Sequence, residues 1–194
     1  MQQFAELLRS HLAGSVEPSE PQIELLSEHY ELLVRWNARL NLTSIRNLED
    51  AVVRHYCESL FFAHHLPEGA AKVLDFGSGA GFPGIPMAIL RPELQVTLAE
   101  SHQRKAVFLR ECSRELRNVT VSAKRAEELP SGFDWVVARA VDPASVLKVA
   151  PKLARCVGLM IGRADTPDCA GFVLKKEIAI PWGDNRVCIY GCFT

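Results

Sequence analysis

Residues 73–86 read VLDFGSGAGFPGIP, a short apolar run followed at once by four glycines. Lys72–Phe76 predicts a buried strand, and residues 81–90 predict a helix with prolines near its start. Gly77, Gly79, Gly81 and Gly84 fall at the junction, where a residue without Cβ lets the backbone approach a ligand closely. Read from Gly79, the stretch also satisfies G-x-G-x-x-G, with Glu100 twenty-one residues on. A dinucleotide site therefore competes with other nucleoside sites.

Two carboxylates bear on that choice. Asp75, two residues before Gly77, is expected at the floor of the site, where it would repel a pyrophosphate. The ammonium and cationic sulfur of S-adenosylmethionine suit it better. Glu100, at the end of a second predicted strand, can accept hydrogen bonds from ribose hydroxyls and serves either cofactor.

Outward from the loop, strands predicted at Gln95–Ala99, 119–123, 133–138 and 156–161 alternate with helices at 103–116 and 144–154. That alternation implies a mostly parallel sheet with helices on both faces. Residues 173–180 and Arg186–Phe193, joined by a Pro-Trp-Gly-Asp-Asn turn, predict a closing antiparallel hairpin. Before the loop the chain reads as helices. Phe4, Leu7, Leu8 and Leu12 recur at helical spacing, as do Ile23, Leu26, Tyr30, Leu33 and Leu40. Ser19 with Gln22 is a capping-box pattern, and a third helix is expected from Glu49 to about His65, capped by Asn47. The expected organisation is a helical cap over residues 1–68 and an α/β domain over 69–194.

The chain has 194 residues, 22 Lys+Arg and 23 Asp+Glu, a formal net charge of −1. That near-neutral total hides a polarised molecule. Residues 1–71 carry 5 basic and 10 acidic side chains, whereas residues 72–163 carry 14 and 9. The sharpest excess runs from Arg104 to Arg125, a candidate surface for an anionic partner. Six cysteines without Cys-x-x-Cys spacing read as reduced thiols, and no metal site is expected. No stretch has the length and apolarity of a membrane span, and the N-terminus lacks a signal-peptide core. A soluble cytoplasmic protein is the expectation, and nothing in the sequence requires more than a monomer.

Several segments in order carry a resemblance: WNARLNLTSI (residues 36–45), Arg54-His55 with Ser59, the loop extended as DFGSGAGFPGIPMAILRPE, then SHQRKAVFLRE, RAEELP and ARAV. Over residues 20–162 the chain resembles the bacterial small-subunit ribosomal RNA methyltransferase G family, also called glucose-inhibited division protein B. The resemblance implies an α/β, seven-stranded class I S-adenosylmethionine-dependent methyltransferase (Rossmann-like) fold with an N-terminal helical cap. It implies methylation of N7 of one guanine of 16S ribosomal RNA near the decoding region, on the RNA or on a small-subunit particle. It places cofactor contacts on Gly77, Phe82, Ala126, Glu127 and Arg139, to which the residue-level reading adds Asp75, Gly79 and Glu100. Glu58 and Glu100 stand where the family usually has Asp, and Ile161 where it commonly has Lys, with Arg163 two residues on.

Guanine N7 has a free lone pair, so no general base is expected, and Arg139 is the candidate positioning residue. Arg54, Arg104 and Lys105 are the candidate phosphate contacts. His55 is expected as a structural hydrogen-bonding residue between cap and domain, and His64-His65 as a helix end. Two other readings compete: a non-catalytic RNA-binding or assembly protein that retains the fold, and an NAD-dependent oxidoreductase, which Asp75 opposes.

Overall fold

A computed structural model describes residues 1–165, 171–183 and 185–194; Cys169 and Asp184 of the expected turn lie outside the described residues. Seven strands, β1 (Lys72–Phe76), β2 (Gln95–Ala99), β3 (Val119–Ser122), β4 (Phe133–Arg139), β5 (Ala154–Gly162), β6 (Phe172–Ala179) and β7 (Arg186–Phe193), form one sheet in the order β3-β2-β1-β4-β5-β7-β6. Every neighbouring pair from β3 to β5 is parallel, and β7 alone runs against both of its neighbours. The strand order reverses between β1 and β4. In such sheets a ligand crevice opens there, outside the carboxyl ends of the strands.

Helices cover both faces: α1 (Gln2–Leu12), α2 (Glu20–Leu40), α3 (Leu48–Ala51), α4 (Glu58–His65), α5 (Gly84–Leu90), α6 (Gln103–Cys112) and α7 (Pro143–Val149). Strand alternation sorts the side chains between two cores. Val73, Trp135, Val137, Met160, Cys188 and Tyr190 face the larger one. Leu74, Phe76, Val136, Ala138, Leu159 and Ile189 face the smaller, which α7 closes with Val146 and Leu147. Phe4, Leu8, Leu12, Leu26, Leu33, Leu60 and Phe62 belong to the larger core. The N-terminal helices thus pack against the same apolar layer as the sheet.

The predicted helix over 49–65 is present but changes pitch. Between α3 and α4, Val52–Cys57 form a π-helical turn, a widening that often marks functional sites. Asn47 caps α3 by accepting the Asp50 N–H at 2.7 Å. At the start of α2, the Ser19 N–H donates to Gln22 Oε1 at 2.8 Å. The Gln22 amide also donates to the Ile89 and Leu90 carbonyls at 2.8 and 3.0 Å. That anchors the start of α2 beside the end of α5, so α2 runs back toward the glycine loop.

His29 fastens α2 to that loop. Its Nε2–H donates to the Ala80 carbonyl at 3.1 Å, which leaves Nδ1 to accept the Tyr56 hydroxyl at 2.8 Å. Burial holds the His29 pKa down at about 4, with the Ala80 bond opposing. The neutral ring's stability share is therefore full above about pH 6.5 and is lost as pH falls toward 4. Comparing urea unfolding of the wild type and His29→Gln across that window should show the wild type losing about 1.4 kcal/mol per pH unit more than the variant. Parallel curves would show that His29 is not buried neutral.

The expectation of wholly reduced cysteines needs correction. Cys156 and Cys192 face each other across β5 and β7 and form a disulfide. Thirty-six residues separate them in sequence, and only the antiparallel register brings them together. Cys57, Cys112 and Cys188 are free thiols; burial pushes Cys57 and Cys188 up to about 12. Among the described residues, no helix is long and apolar enough to cross a membrane.

Candidate active site

The glycine loop is held from below and from the side. Gly77, Gly79 and Gly81 have φ of 73°, 55° and 89°, the left-handed region that L side chains disfavour. The Gly77 and Ser78 N–H groups both donate to the Ala99 carbonyl at 3.0 Å. Gly79 N–H donates to Glu100 Oε2 at 3.0 Å, and His102 N–H donates to Glu100 Oε1 at 2.7 Å. Each Glu100 oxygen keeps a lone pair for a further donor.

Asp75 lies beneath the loop and is 0% exposed. Its Oδ2 accepts the Gly84 N–H at 3.1 Å, while its Oδ1 is buried without a hydrogen-bond partner. A Cβ at Gly84 would sit 2.6 Å from Oδ2 and 2.3 Å from Leu98 Cδ2, so only glycine fits over this carboxylate. Burial raises the Asp75 pKa to about 7, against the Gly84 N–H that favours the anion, while the Ser78 hydroxyl donates to the Asp75 backbone carbonyl at 3.1 Å.

The remaining candidates sit at the same end of the sheet. Ala126 and Glu127 form a short 3-10 turn after β3, the first buried and the second exposed. Arg139 closes β4. The loops after β1 and β4 approach so closely that a Cβ on Gly77 would lie 3.1 Å from Val141. Phe82 turns inward instead: its ring stacks on His55 at 4.5 Å and meets Tyr56 and His29 edge-on. Arg54 and Arg104 are exposed, and Lys105 is half-buried.

Beside this crevice lies a charged cluster that residue-by-residue reading does not assemble. Glu58, 0% exposed on α4, accepts a hydrogen bond from Arg186 on β7 and lies 3.6 Å from Arg139. Glu58 Oε2 has no other polar contact among the described residues. Arg139 also donates to His55 Nδ1 at 2.9 Å. Since a guanidinium only donates, His55 carries its proton on Nε2 and gives it to the Thr43 hydroxyl at 2.8 Å. Burial, then the nearby arginines, hold the His55 pKa down at about 3. Burial lowers the pKa of Arg139 while Glu58 supports its charge. Arg139, Arg186, Ile161 and Asp165 line a cleft of about 270 Å3 at the ends of β4 and β5. A lone carboxylate in the apolar run ESLFFA was a signal for Glu58; nothing local singles out Arg186.

The loop's fit to a cofactor rests on two observations. An orphaned, buried carboxylate oxygen at Asp75 fits a cationic group. The left-handed glycines that bare the backbone above it fit a close-lying ligand. A family model for rRNA small subunit methyltransferase G matches residues 22–161. The chain belongs to that family. Ribosomal RNA small subunit methyltransferase G of Xanthomonas axonopodis pv. citri (strain 306) is 44% identical over 141 residues, 70% of this chain and 66% of the relative. The chain thus spans just under two thirds of that relative's length. The protein of the same name from Roseiflexus sp. (strain RS-1) is 41% identical over 190 residues, 93% of this chain and 81% of the relative. In fold, the chain is similar to a SAM dependent methyltransferase from Aquifex aeolicus, with a TM-score of 0.57 at 16% identity over 75% of this chain and 93% of the other.

As a member of the rRNA small subunit methyltransferase G family, this chain departs from the expected pattern at a telling place. Ile161, where a lysine was expected, is buried and forms an apolar wall of the Arg139–Arg186 cleft. Arg163 is engaged with Glu177 at 3.4 Å. The cleft's cationic character therefore comes from Arg139 and Arg186.

Proposed function

We propose that the protein transfers a methyl group from S-adenosylmethionine to N7 of one guanine of 16S ribosomal RNA near the decoding region. The supporting observation is the buried, half-satisfied Asp75 beneath a left-handed glycine loop, in a chain of this family. When bound, S-adenosylmethionine supplies an electrophilic methyl on a sulfonium. Asp75 Oδ1 would meet its ammonium, Glu100 its ribose hydroxyls, and the Ala126-Glu127 turn its adenine edge. Gly77, Gly79 and Phe82 contribute the loop that lies against it, and Arg139 stands at the boundary with the target base. Residues 1–68 serve as the helical cap and 69–194 as the methyltransferase domain.

Guanine N7, the proposed acceptor, has a free lone pair and carries no proton. No proton moves, so no residue is assigned as general acid or base. The protein's task is alignment, an effect worth ~7–11 kcal/mol in favourable cases. Methyl transfer would leave positive charge on the base. Glu58, by offsetting one of the two guanidiniums in the neighbouring cleft, limits repulsion of that charge. Arg54, Arg104 and Lys105 act as phosphate contacts, in a cytoplasmic monomer working on RNA or a small-subunit particle.

The test is incubation with labelled S-adenosylmethionine and under-methylated small ribosomal subunits, followed by nucleoside analysis. Label should appear in 7-methylguanosine of the 16S RNA. Its absence alongside an active control enzyme would overturn the proposal. Calorimetric titration should show binding of S-adenosylmethionine and none of NAD, which separates this reading from the oxidoreductase.

A further inference from the structure

A second cleft, of about 520 Å3, lies between α2 and α6, outside the loop and the Arg139–Arg186 cleft. It is lined by Arg35, Trp36, Arg39, Arg104 and Glu111, with short aliphatic side chains between them. Arg35 and Arg39 are two of only five basic residues in the acidic first 71. Neither they nor Arg104 has an ion-pair or hydrogen-bond partner among the described residues. Glu111, the one acid in the cleft, is engaged: it accepts the Trp36 indole N–H at 3.1 Å. Trp36 also packs edge-on against Phe108, so its ring is fixed at the cleft wall. Three unpaired guanidiniums around a held indole match a phosphate backbone with a base stacked against the ring.

A short chain of contacts joins this cleft to the proposed reaction centre. Asn37, next to Trp36, brackets the Thr43 backbone with two hydrogen bonds of 2.9 and 3.0 Å. The Thr43 hydroxyl meets His55, and His55 meets Arg139.

We infer that the α2–α6 cleft binds a single-stranded nucleotide segment of the RNA next to the target guanine, with phosphates on Arg35, Arg39 and Arg104 and one base on Trp36. This rests on the RNA-methylation reading and extends it, since of these four residues only Arg104 is a phosphate contact in that reading.

The test uses the full chain and a fluorescently labelled 16S RNA fragment containing the target guanine. In anisotropy titrations, R35A/R39A/R104A should bind at least about tenfold more weakly, with the salt slope of log affinity reduced by about 2. Calorimetric affinity for S-adenosylmethionine should be unchanged, and K152A, at an exposed position before β5, should bind RNA like wild type. Ultraviolet crosslinking followed by mass spectrometry should place the crosslink on the peptide containing Trp36. Wild-type affinity and salt slope in the triple variant, or crosslinks only to peptides outside α2 and α6, would overturn the inference. RNA binding is read without turnover, so the two proposals fail separately. A wild type that methylates normally while the triple variant binds RNA normally refutes the cleft alone. A wild type that never methylates, whose triple variant nonetheless loses RNA, refutes the methylation reading alone.

Discussion

Glu58→Gln is expected to lower the free energy of unfolding by about 3–5 kcal/mol, the usual cost of leaving a buried charge without its counter-ion. Glu58 is fully enclosed and faces two guanidiniums, Arg186 in a direct hydrogen bond and Arg139 at 3.6 Å. Arg139 is itself only 13% exposed, so water cannot take over from the carboxylate. Glutamine keeps the volume and removes the charge, which separates electrostatics from packing. Urea unfolding should show a lower midpoint with an unchanged slope. Glu58→Asp, which keeps the charge but shortens its reach, should lose less than half as much. A loss under 1 kcal/mol in Glu58→Gln would mean that the cluster is solvated enough not to need its anion. The same substitution should disturb the site, because Arg139 is held by Glu58 on one side and His55 on the other.

For Asp75→Asn the structure calls for opposite effects on stability and on ligand affinity. Burial lifts the Asp75 pKa to about 7. A carboxyl with a raised folded-state pKa lends stability below its unfolded value near 3.8, and that share is lost as pH climbs through about 7. At pH 8 the wild type therefore carries a buried anion with one unpartnered oxygen, and the neutral amide should be equally stable or more so. Asparagine can still accept the Gly84 N–H, so the loop's anchor survives. A bound ammonium, by contrast, needs the charge. Affinity for S-adenosylmethionine should fall about 100-fold, equivalent to about 2.8 kcal/mol. Because the ligand would draw Asp75 into its ionised form, wild-type affinity should rise with pH up to about 7 and then level off, with proton release on binding below that pH. The variant should lose this pH dependence. Calorimetry in buffers of differing ionisation enthalpy reads both quantities. Affinity within threefold of wild type, or an unchanged pH profile, would remove Asp75 from the ammonium's neighbourhood.

The parts of this fold visible in one dimension are those fixed by local pattern. β1 and β2 occupy the predicted residues, since a continuous apolar run before a glycine turn has few alternatives in a buried parallel sheet. Helix ends were less legible: α6 stops at Cys112 rather than near Leu116, and α5 begins only at Gly84, after the loop has turned. The pitch change at Val52–Cys57 has no local signature; its side chains meet partners far along the chain, His55 at Thr43 and Arg139 and Tyr56 at Phe4 and His29.

The sequence by itself determined the alternating parallel sheet with its reversed last strand. It also gathered Asp75, the glycines, Glu100, the Ala126-Glu127 turn and Arg139 at strand ends, because in such a sheet every loop after a strand opens on the same side. Tertiary structure alone decided which charges are shared. Glu58 and Arg186 lie 128 residues apart and meet only because β7 enters the sheet beside β5, over α4. Cys156 and Cys192 join for the same reason. Arg35, Arg39 and Arg104 read as scattered charges until α2 and α6 are laid side by side. Periodicity records which face of an element is buried, whereas long-range pairing depends on how whole elements dock, and no local pattern encodes that.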